Sequence, residues 1–289
     1  MNNLSQFYLE KLKFEIGENE NKRKQSLDHF REWLTKHPFI KSKEIDDLGL
    51  LMYLRPKKYK MDESFESYEV LTKYFVSQLK IYEISDDKME QIFIQMKSSF
   101  YVLKNRDAEG RRVIVVRIKK IEEQNISFIE FFKIFALFID GLHFEEETQI
   151  SGVVCIVDFS EMSFDYFLKT PVEDLIYSIN LVKHYPVRIK LAIIIGLPSF
   201  ANKILKIISQ YLSEKIKSRL IVIDKAIELN IFIDTTELLN DNYEYNEDNF
   251  LDFKENIKRA LKNGRNIEIN LNDIKVFEKV GSFRKLEID

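Results

Sequence analysis

The chain has 289 residues, of which 45% are hydrophobic, and it contains 23 Phe, 8 Gly and a single cysteine. This length allows one large domain or two of ordinary size with a sizeable core. The formal net charge of -3 excludes a whole-molecule attraction to anions, so we expect no nucleic-acid partner, and an anion site requires a local cluster of cations. The lone Cys155 excludes an internal disulfide and indicates a reducing compartment, the cytoplasm.

From the sequence we expect neither a targeting segment nor a membrane-spanning helix. The N-terminal stretch "MNNLSQFYLEKLKFEIGENENKRK" lacks the apolar core of a signal peptide. The longest apolar block, "ISFIEFFKIFALFI" at residues 126–139, is too short to span a bilayer and contains Glu130 and Lys133. We interpret this block as a buried helix.

Hydrophobic periodicity predicts helices through about the first hundred residues. Apolar residues recur at spacings of three and four in "QSLDHFREWLTKHP", and Pro38 is expected to end this helix. A second helix is predicted to stop at Pro56, and "ESFESYEVLTKYFVSQLKIY" predicts a third, amphipathic one. No strand pattern of comparable quality precedes Arg111, so residues 1–105 are predicted to form a helical subdomain.

The character of the sequence changes in residues 106–289. Short, β-branched, almost wholly apolar runs predict strands that are covered on both faces: 111–118, 151–159, 188–195 and 219–223. Helical segments separate them: 126–142, 163–184 and 199–217. This alternation predicts an α/β lobe with a largely parallel sheet, followed by a helix over 249–264 and a tail that packs back on it.

Catalytic motifs are missing from this α/β pattern. The sequence contains neither a phosphate-binding glycine loop nor a nucleophile elbow, and its four His residues are scattered. "HFEEE" at His143 is interpreted as a solvated acidic face rather than a metal site. Asp158 follows a buried strand, a position where α/β enzymes keep catalytic groups. No companion acid or base lies nearby in the sequence, so we favour a cap on the backbone near 160–163 over a catalytic role. Cys155 is expected to be an inert core thiol. We therefore predict that the protein is not an enzyme and needs neither cofactor nor metal.

Two features point to binding instead. The segment 126–139 is apolar nearly all round, which is typical of a central core helix or of a helix with one side on a lipid-sized cavity. The segment 199–219 is amphipathic and basic, which is typical of a plain surface helix or of one that contacts a membrane or a partner.

Further cations support a binding role for the basic segment 199–219. In "YPVRIKLAIIIGLP", Arg188 and Lys190 alternate with aliphatic residues, so they are predicted to lie on one face of a strand. Lys215 and Arg219 are spaced by four, as on one side of a helix. Four converging cations would bind phosphorylated headgroups or an anionic leaflet, at about 1 kcal/mol per cation.

Taken together, the motifs of the sequence resemble those of the CRAL-TRIO lipid-binding family, in the branch related to α-tocopherol transfer protein. "DDLGLLMYLRPKKYKMDESF" resembles the "LLRFLRARKF" segment of the helical N-terminus, and "GRRVIVVRI" resembles the first sheet strand. "SGVVCIVDFSEMSF" resembles "G-x-x-x-I-x-D-x-E-G", and residues 185–223 are similar to "FPLKVKxIHIINxPxxFxxxxxxxKPFLxEKxxxRI". The resemblance covers about residues 25–289.

The resemblance implies a non-enzymatic intracellular carrier. A sheet would floor an apolar pocket, and a gate helix over 199–212 would close on one lipophilic molecule, such as tocopherol, a retinoid or a phospholipid. Exchange would take place at phosphoinositide-containing membranes, where contact is peripheral and transient. The implied headgroup residues are Arg188, Lys190, Lys215 and Arg219, with Arg55 or Lys57 from the N-terminal part. The aliphatic side of the strand at 187–191 would floor the pocket while its cations serve the headgroup.

The resemblance also assigns pocket residues. They are Phe132, Phe135, Ile139, Val153, Cys155, Val157, Phe164, Tyr177, Leu181, Val187, Ile189, Phe200, Ile204, Leu205 and Ile208. An alternative is a phosphoinositide-sensing adaptor whose interior is filled by side chains and which transports no ligand.

Three departures from the family pattern concern the gate. The "LPxEYGG" motif becomes "LNDNYEYN" at 239–246, which lacks both glycines. The helix-breaking Pro of "KPFL" is Gln210, so we expect the gate helix to run on unbroken toward Lys215. "GLP" replaces "NxP" before the gate and removes one polar group from the pocket rim.

Overall fold

The computed structural model describes residues 4–42, 45–169, 181, 184–232, 247–265 and 267–269. Its N-terminal part is built from helices, as the periodicity predicts. They are α1 (Gln6–Lys11), α2 (Glu20–Lys36), α3 (Asp47–Leu54), α4 (Met61–Tyr74) and α5 (Asp86–Ser99). Helix α1 continues as a π-helical turn over Leu12–Ile16, and α4 continues likewise over Phe75–Leu79 before a 3-10 turn at Ile81–Glu83.

Side-chain caps explain where these helices begin. Asn19 accepts a hydrogen bond from the Lys22 amide at the start of α2, and Asp46 accepts one from the Gly49 amide at the start of α3. Such caps satisfy backbone donors that lack an intrahelical partner. Helix α3 ends before Pro56, as predicted.

A five-stranded sheet forms the second half of the molecule. Its strands are β2 (Phe100–Val102), β3 (Arg112–Arg117), β4 (Val153–Asp158), β5 (Ile189–Ile195) and β6 (Leu220–Ile223), in the order β2-β3-β4-β5-β6. Strands β3 to β6 are parallel, and β2 pairs antiparallel with β3 at one edge. The predicted mixed fold with a mostly parallel sheet is therefore confirmed.

Two short strands precede the predicted first strand. One is β2, and the other is β1 (Ile40–Ser42), which pairs antiparallel with β7 (Ile267–Ile269). Three-residue strands are too short to show an alternation of apolar and polar side chains, so the sequence gives no sign of them. The β1–β7 pair joins the N-terminal helices to the end of the described chain.

The described part of the second half also contains helices. They are α6 (Ile118–Glu123), α7 (Phe128–His143), α8 (Glu146–Ser151), α9 (Phe164–Leu168), α10 (Asn202–Ser209), α11 (Glu214–Lys217) and α12 (Glu247–Arg265), with a 3-10 turn at Ala226–Ile231. Helix α7 begins with a reciprocal capping box between Ser127 and Glu130. Among the described residues, none of these helices is long and apolar enough to cross a membrane.

The expected unbroken gate helix is wrong. Helix α10 ends at Ser209, and a turn separates it from α11 even though Gln210 has replaced the proline of the family. Ser213 takes an extended backbone conformation, and its hydroxyl accepts a hydrogen bond from the Ile216 amide at 3.3 Å. A serine that caps a new helix therefore interrupts the segment without a proline.

The two faces of the sheet carry separate hydrophobic clusters. Val154 and Ile156 of β4 lie on one face with Ile193 and Ile195 of β5, and all four are buried. The other face, which we call the α7 face, is covered over β2 and β3 by helix α7. Phe100 of β2 lies 5.1 Å from Phe138 of α7 between ring centroids.

Candidate functional site

Apolar side chains of β4 and β5 are partly accessible on the α7 face, and we call this accessible surface the groove. Cys155 and Val157 pair in register with Ala192 and Ile194, so the four side chains point to the same side of the parallel sheet. All four are partly accessible, whereas Val116 of the neighbouring β3 is fully buried on that same face. Covering helices therefore protect one half of the face and leave an apolar floor over the other half.

Cys155 of this floor is enclosed by protein and is still partly accessible. Burial raises the pKa of its thiol to about 12, because the surrounding protein disfavours the charged thiolate. Part of the same side chain is nonetheless accessible. Both observations hold for a side chain at the bottom of a groove, enclosed by protein yet bordering open space.

Aromatic side chains line one wall and the rim. The Phe200 ring, just before α10, lies 5.2 Å from Phe164 and 5.1 Å from Phe167 of α9, measured between centroids. These contacts hold the segment just before α10 against α9. Phe164 and Leu168 are 52% and 63% exposed, so α9 also presents apolar side chains at the surface.

The predicted pocket residues fall into three groups. Partly accessible or exposed are Phe135, Cys155, Val157, Phe164, Val187, Ile189, Phe200 and Leu205. Buried are Phe132, Ile139, Val153 and Leu181. Tyr177 and the side chains of Ile204 and Ile208 lie outside the described part of the chain.

Phe132 shows why some predicted pocket residues do not line the groove. Its ring lies 6.3 Å from Tyr74 of α4 and 6.5 Å from Tyr185, and 7% of the residue is exposed. It therefore packs between α7 and the N-terminal helices, where it belongs to the core.

The predicted aliphatic floor at 187–191 needs correction at Leu191, whereas Val187 packs in the cluster on the α7 face. The β4–β5 register is irregular between Val153 and Val154, and Leu191 packs in the cluster on the opposite face. Such a bulge sets two residues against one and shifts the side on which later side chains lie. Ala192 and Ile194, which follow Lys190 at period two, form the floor instead. Continuing the alternation from Lys190 would have identified them.

Beside the groove, Arg188 and Lys190 share one carboxylate. The Oε2 atom of Glu15 accepts a hydrogen bond from Arg188 Nη2 at 3.0 Å and one from Lys190 Nζ at 2.8 Å. Arg188 also donates to the Ile150 carbonyl, and Arg219 donates to the Ile189 carbonyl. These bonds to backbone oxygens hold both guanidinium groups at the beginning of β5.

Several other cations lie close enough to Lys215 to affect its pKa. Its pKa is lowered first by burial and then by nearby positive charges. The residues that supply those charges are Arg219, Lys58, Arg188 and Lys57. We call Lys57, Lys58, Arg188, Lys190, Lys215 and Arg219 the cation cluster. Five of its members were predicted; Lys58, an exposed neighbour of Lys57, was missed.

Arg55 does not join the cation cluster. Its side chain is fully buried, and its Nε donates to Glu18 at 2.8 Å while Nη2 donates to Glu146 at 2.7 Å. A guanidinium already neutralised by two carboxylates, away from solvent, cannot reach an external phosphate. Of Arg55 and Lys57, the two candidates from the N-terminal part, Lys57 is therefore the one that joins the cation cluster.

Asp158 and the acidic run after His143 serve structural roles. Asp158 Oδ1 accepts a hydrogen bond from the Ser160 amide at 2.9 Å, which confirms the predicted cap. The acidic run is not merely a solvated face, because Glu145 pairs with both Arg106 and Arg112 at 2.9 Å. Within the described residues, no group of three or more His, Cys, Asp or Glu is placed to hold a metal ion.

Comparison with known proteins places this arrangement in a family. Residues 96–243, just over half of the chain, match the CRAL/TRIO domain. Clavesin-1 from Xenopus laevis is 26% identical over 217 residues, which are 73% of this chain and 64% of that protein. Clavesin-2 from Homo sapiens is 24% identical over 225 residues, 75% of this chain and 67% of that protein. The matched region therefore spans less than two thirds of the length of Clavesin-1.

A solved structure was also matched. "Crystal structure of Sfh5" superimposes with a TM-score of 0.48 and 10% sequence identity, over 75% of this chain and 85% of that chain. The family assignment rests on the domain match, which covers half of the chain. The chain belongs to the CRAL/TRIO domain family, the lipid-binding family that its sequence motifs resemble.

Proposed function

We propose that the protein is an intracellular carrier that holds one lipophilic small molecule in the groove and exchanges it at phosphoinositide-containing membranes. The observation that carries this proposal is the accessible apolar floor formed by Cys155, Val157, Ala192 and Ile194. Apolar side chains in the middle of a sheet are normally covered, because each buried aliphatic side chain stabilises the fold by about 2 kcal/mol. An apolar guest of the size of a tocopherol, retinoid or phospholipid tail would supply the missing cover.

The cation cluster supports the second half of the proposal. Its members come from three separate elements, the α3–α4 connection, β5 and the α11 region, and they converge beside the gate. Clustered Lys and Arg side chains bind phosphate oxygens through charge-assisted hydrogen bonds. The exposed Phe164 and Leu168 of α9 offer an apolar contact for the same membrane. Docking of this kind is peripheral and reversible.

The carrier function is tested by filling the groove. Ala192→Phe places a ring on the floor and is expected to reduce uptake of fluorescent tocopherol, retinol and phospholipid probes by about tenfold or more. Ile94→Phe is the matched control, because Ile94 on α5 is 70% exposed and the added ring stays outside the groove. Equal uptake by both variants, or no uptake of any probe by the unmodified protein, would contradict the carrier function.

Docking is tested separately by sedimentation with vesicles. Lys190→Gln with Lys215→Gln removes two cations and spares Arg188, which has a structural bond to the Ile150 carbonyl. At about 1 kcal/mol per cation, affinity for phosphoinositide vesicles is expected to fall about thirtyfold. Lys24→Gln with Lys88→Gln is the control, since it removes the same charge from exposed sites on α2 and α5.

The two experiments also separate the carrier from an adaptor without cargo. An adaptor would show cluster-dependent docking, while lipid extraction and mass spectrometry would find no bound apolar molecule and no probe would be taken up. A carrier with an unrelated membrane contact would take up probes, and the two double variants would dock equally well.

A further inference from the structure

Glu15 is an acidic side chain that pairs with two members of the cation cluster, Arg188 and Lys190. Besides the bonds to Arg188 and Lys190 at 3.0 and 2.8 Å, its other oxygen accepts a bond from Lys11 at 3.0 Å. The carboxylate therefore receives three charge-assisted hydrogen bonds, and two of them come from predicted headgroup residues. Lys215 and Arg219 form no ion pair with an acidic residue among those that the structure describes.

The charge of Glu15 is permanent under physiological conditions. Burial acts to raise the pKa of this carboxyl, but hydrogen bonds from Lys190 and Lys11 and the charge of Arg188 hold it at about 2. Glu15 is thus always available as an anion and does not respond to pH in the physiological range.

The bonding pattern resembles that expected for a phosphate. One oxygen atom of Glu15 bridges a guanidinium and an ammonium group, as an oxygen of a phosphorylated headgroup would. Without an anion, the neighbouring cations repel one another. Burial is the main cause that lowers the pKa of Arg188 and of Lys190, and the charges of Arg219 and Arg188, respectively, lower them further. An internal carboxylate relieves this repulsion when no ligand is present.

The position of Glu15 allows an exchange of anions. Leu12 and Ile16 of the same π-helical turn are almost fully buried and anchor the backbone. The Glu15 side chain itself is one third exposed and reaches the cluster through flexible torsions. Rotation of this side chain alone would free Arg188 and Lys190 without unfolding the turn.

We propose that Glu15 is an internal competitor for the anion site, which a phosphorylated lipid headgroup must displace when the protein docks. This inference rests on the proposed docking function and adds its regulation. A headgroup with several negative charges can replace the carboxylate and also engage Lys215 and Arg219, which a singly charged lipid does less well. Glu15 therefore raises the requirement for charge on the headgroup and favours phosphoinositides over phosphatidylserine.

The test compares Glu15→Gln with Glu10→Gln. Glu10 lies on α1, bonds to Gln6 and makes no ion pair with the cluster, so the control changes net charge equally in the same segment. Loss of the competitor is expected to tighten binding to phosphoinositide vesicles by about threefold to tenfold, while Glu10→Gln stays within about twofold of the unmodified protein. Glu15→Gln is also expected to bind phosphatidylserine vesicles better, so the preference between the two lipids shrinks.

Glu15→Asp gives a second measurement that keeps the charge. Its side chain is one methylene shorter and cannot bridge both cations, so an intermediate gain is expected even if Glu15→Gln does not fold. If Glu15→Gln and Glu15→Asp bind vesicles no more tightly than Glu10→Gln does, Glu15 is not a competitor for the anion site. In that case docking that still depends on Lys190 and Lys215 leaves the proposed function standing. If those lysines also have no effect on docking, both ideas are wrong.

Discussion

The guanidinium of Arg55 forms two hydrogen bonds with the carboxylate of Glu18, at 2.8 and 3.0 Å, and both side chains are fully buried. The same guanidinium donates to Gln149 at 2.9 Å and to Glu146 at 2.7 Å in helix α8. Arg55 thus joins the end of α3 to the start of α2 and to the segment that leads into β4. This contact fixes the N-terminal helices against the sheet beside the cation cluster.

Removal of Arg55 is expected to be costly. Arg55→Met leaves the buried Glu18 carboxylate without its partner, and breaking a buried ion pair from one side costs about 3–5 kcal/mol of unfolding free energy. Arg31→Met is the control, because the Arg31–Asp47 pair at 2.6 Å is about half exposed and is worth about 1 kcal/mol or less. Urea unfolding measures both, and a loss for Arg55→Met no greater than for Arg31→Met would contradict this role.

Gly152 is required at the entrance to β4. Its φ is +85°, and a Cβ atom at this position would lie 2.2 Å from the carbonyl oxygen of Arg188. Gly152→Ala is therefore expected to destabilise the fold by more than about 2 kcal/mol and to displace Arg188 from the cation cluster.

Gly17 provides the comparison for Gly152. It also has a positive φ, +74°, but the nearest atom to an added Cβ is the flexible end of Lys22 at 3.6 Å. Gly17→Ala should cost only the conformational strain, about 1 kcal/mol. Thermal unfolding of the two variants separates strain from collision. Equal losses would mean that the backbone of Arg188 can move aside at little cost.

Two buried groups on α7 give opposite pH dependences. Burial raises the pKa of Asp140 to about 7, and burial lowers the pKa of His143 to about 4, although the carbonyls of Pro186 and Ile139 oppose the latter shift. The folded state binds the Asp140 proton more tightly than the unfolded state, so this contribution to stability is lost as pH rises from about 4 to 7. The His143 contribution is present above about pH 6.5 and is lost as pH falls toward 4.

The two contributions are expected to cancel in the unmodified protein and to appear separately in variants. Between pH 5 and 6.5, Asp140→Asn should gain about 2 kcal/mol of unfolding free energy relative to the unmodified protein. His143→Gln should lose a similar amount over the same interval. Urea unfolding at each pH measures these differences, and profiles that run parallel in all three proteins would show that neither group titrates as described.

The sheet was predictable from sequence because its parallel strands are apolar along most of their length. Runs such as 188–195 need continuous apolar side chains, and that requirement is visible in one dimension. The cap at Asp158 was also predictable, because its hydrogen-bond partner Ser160 lies only two residues away in the sequence. Local rules therefore recovered the parallel strands β3 to β6, the long helices and the order in which they alternate.

Pairings between distant residues were not predictable. Arg55 lies 37 residues from Glu18, and Glu15 lies 173 residues from Arg188, so no periodic pattern connects the partners. Arg55 and Lys57 look equivalent in the sequence, yet one is buried in an ion pair and the other joins the cation cluster. Cys155 and Val157 of the floor were predicted, but Leu191 was misassigned because a bulge beside Val153 changes which side chains of β5 face the groove.

Cys155 offers a direct test of the groove, because it is the sole cysteine of the chain. Its thiol borders the groove, but burial raises its pKa to about 12, so very little thiolate exists at pH 8. Alkylation by iodoacetamide should therefore be more than about a hundredfold slower than for an unperturbed thiol. A bound lipophilic probe should slow it further, because the guest covers the floor, and Ala192→Phe should do the same without a probe. Mass spectrometry follows the modified fraction over time. Rapid alkylation that is insensitive both to the probe and to the Ala192→Phe substitution would place Cys155 outside any ligand site.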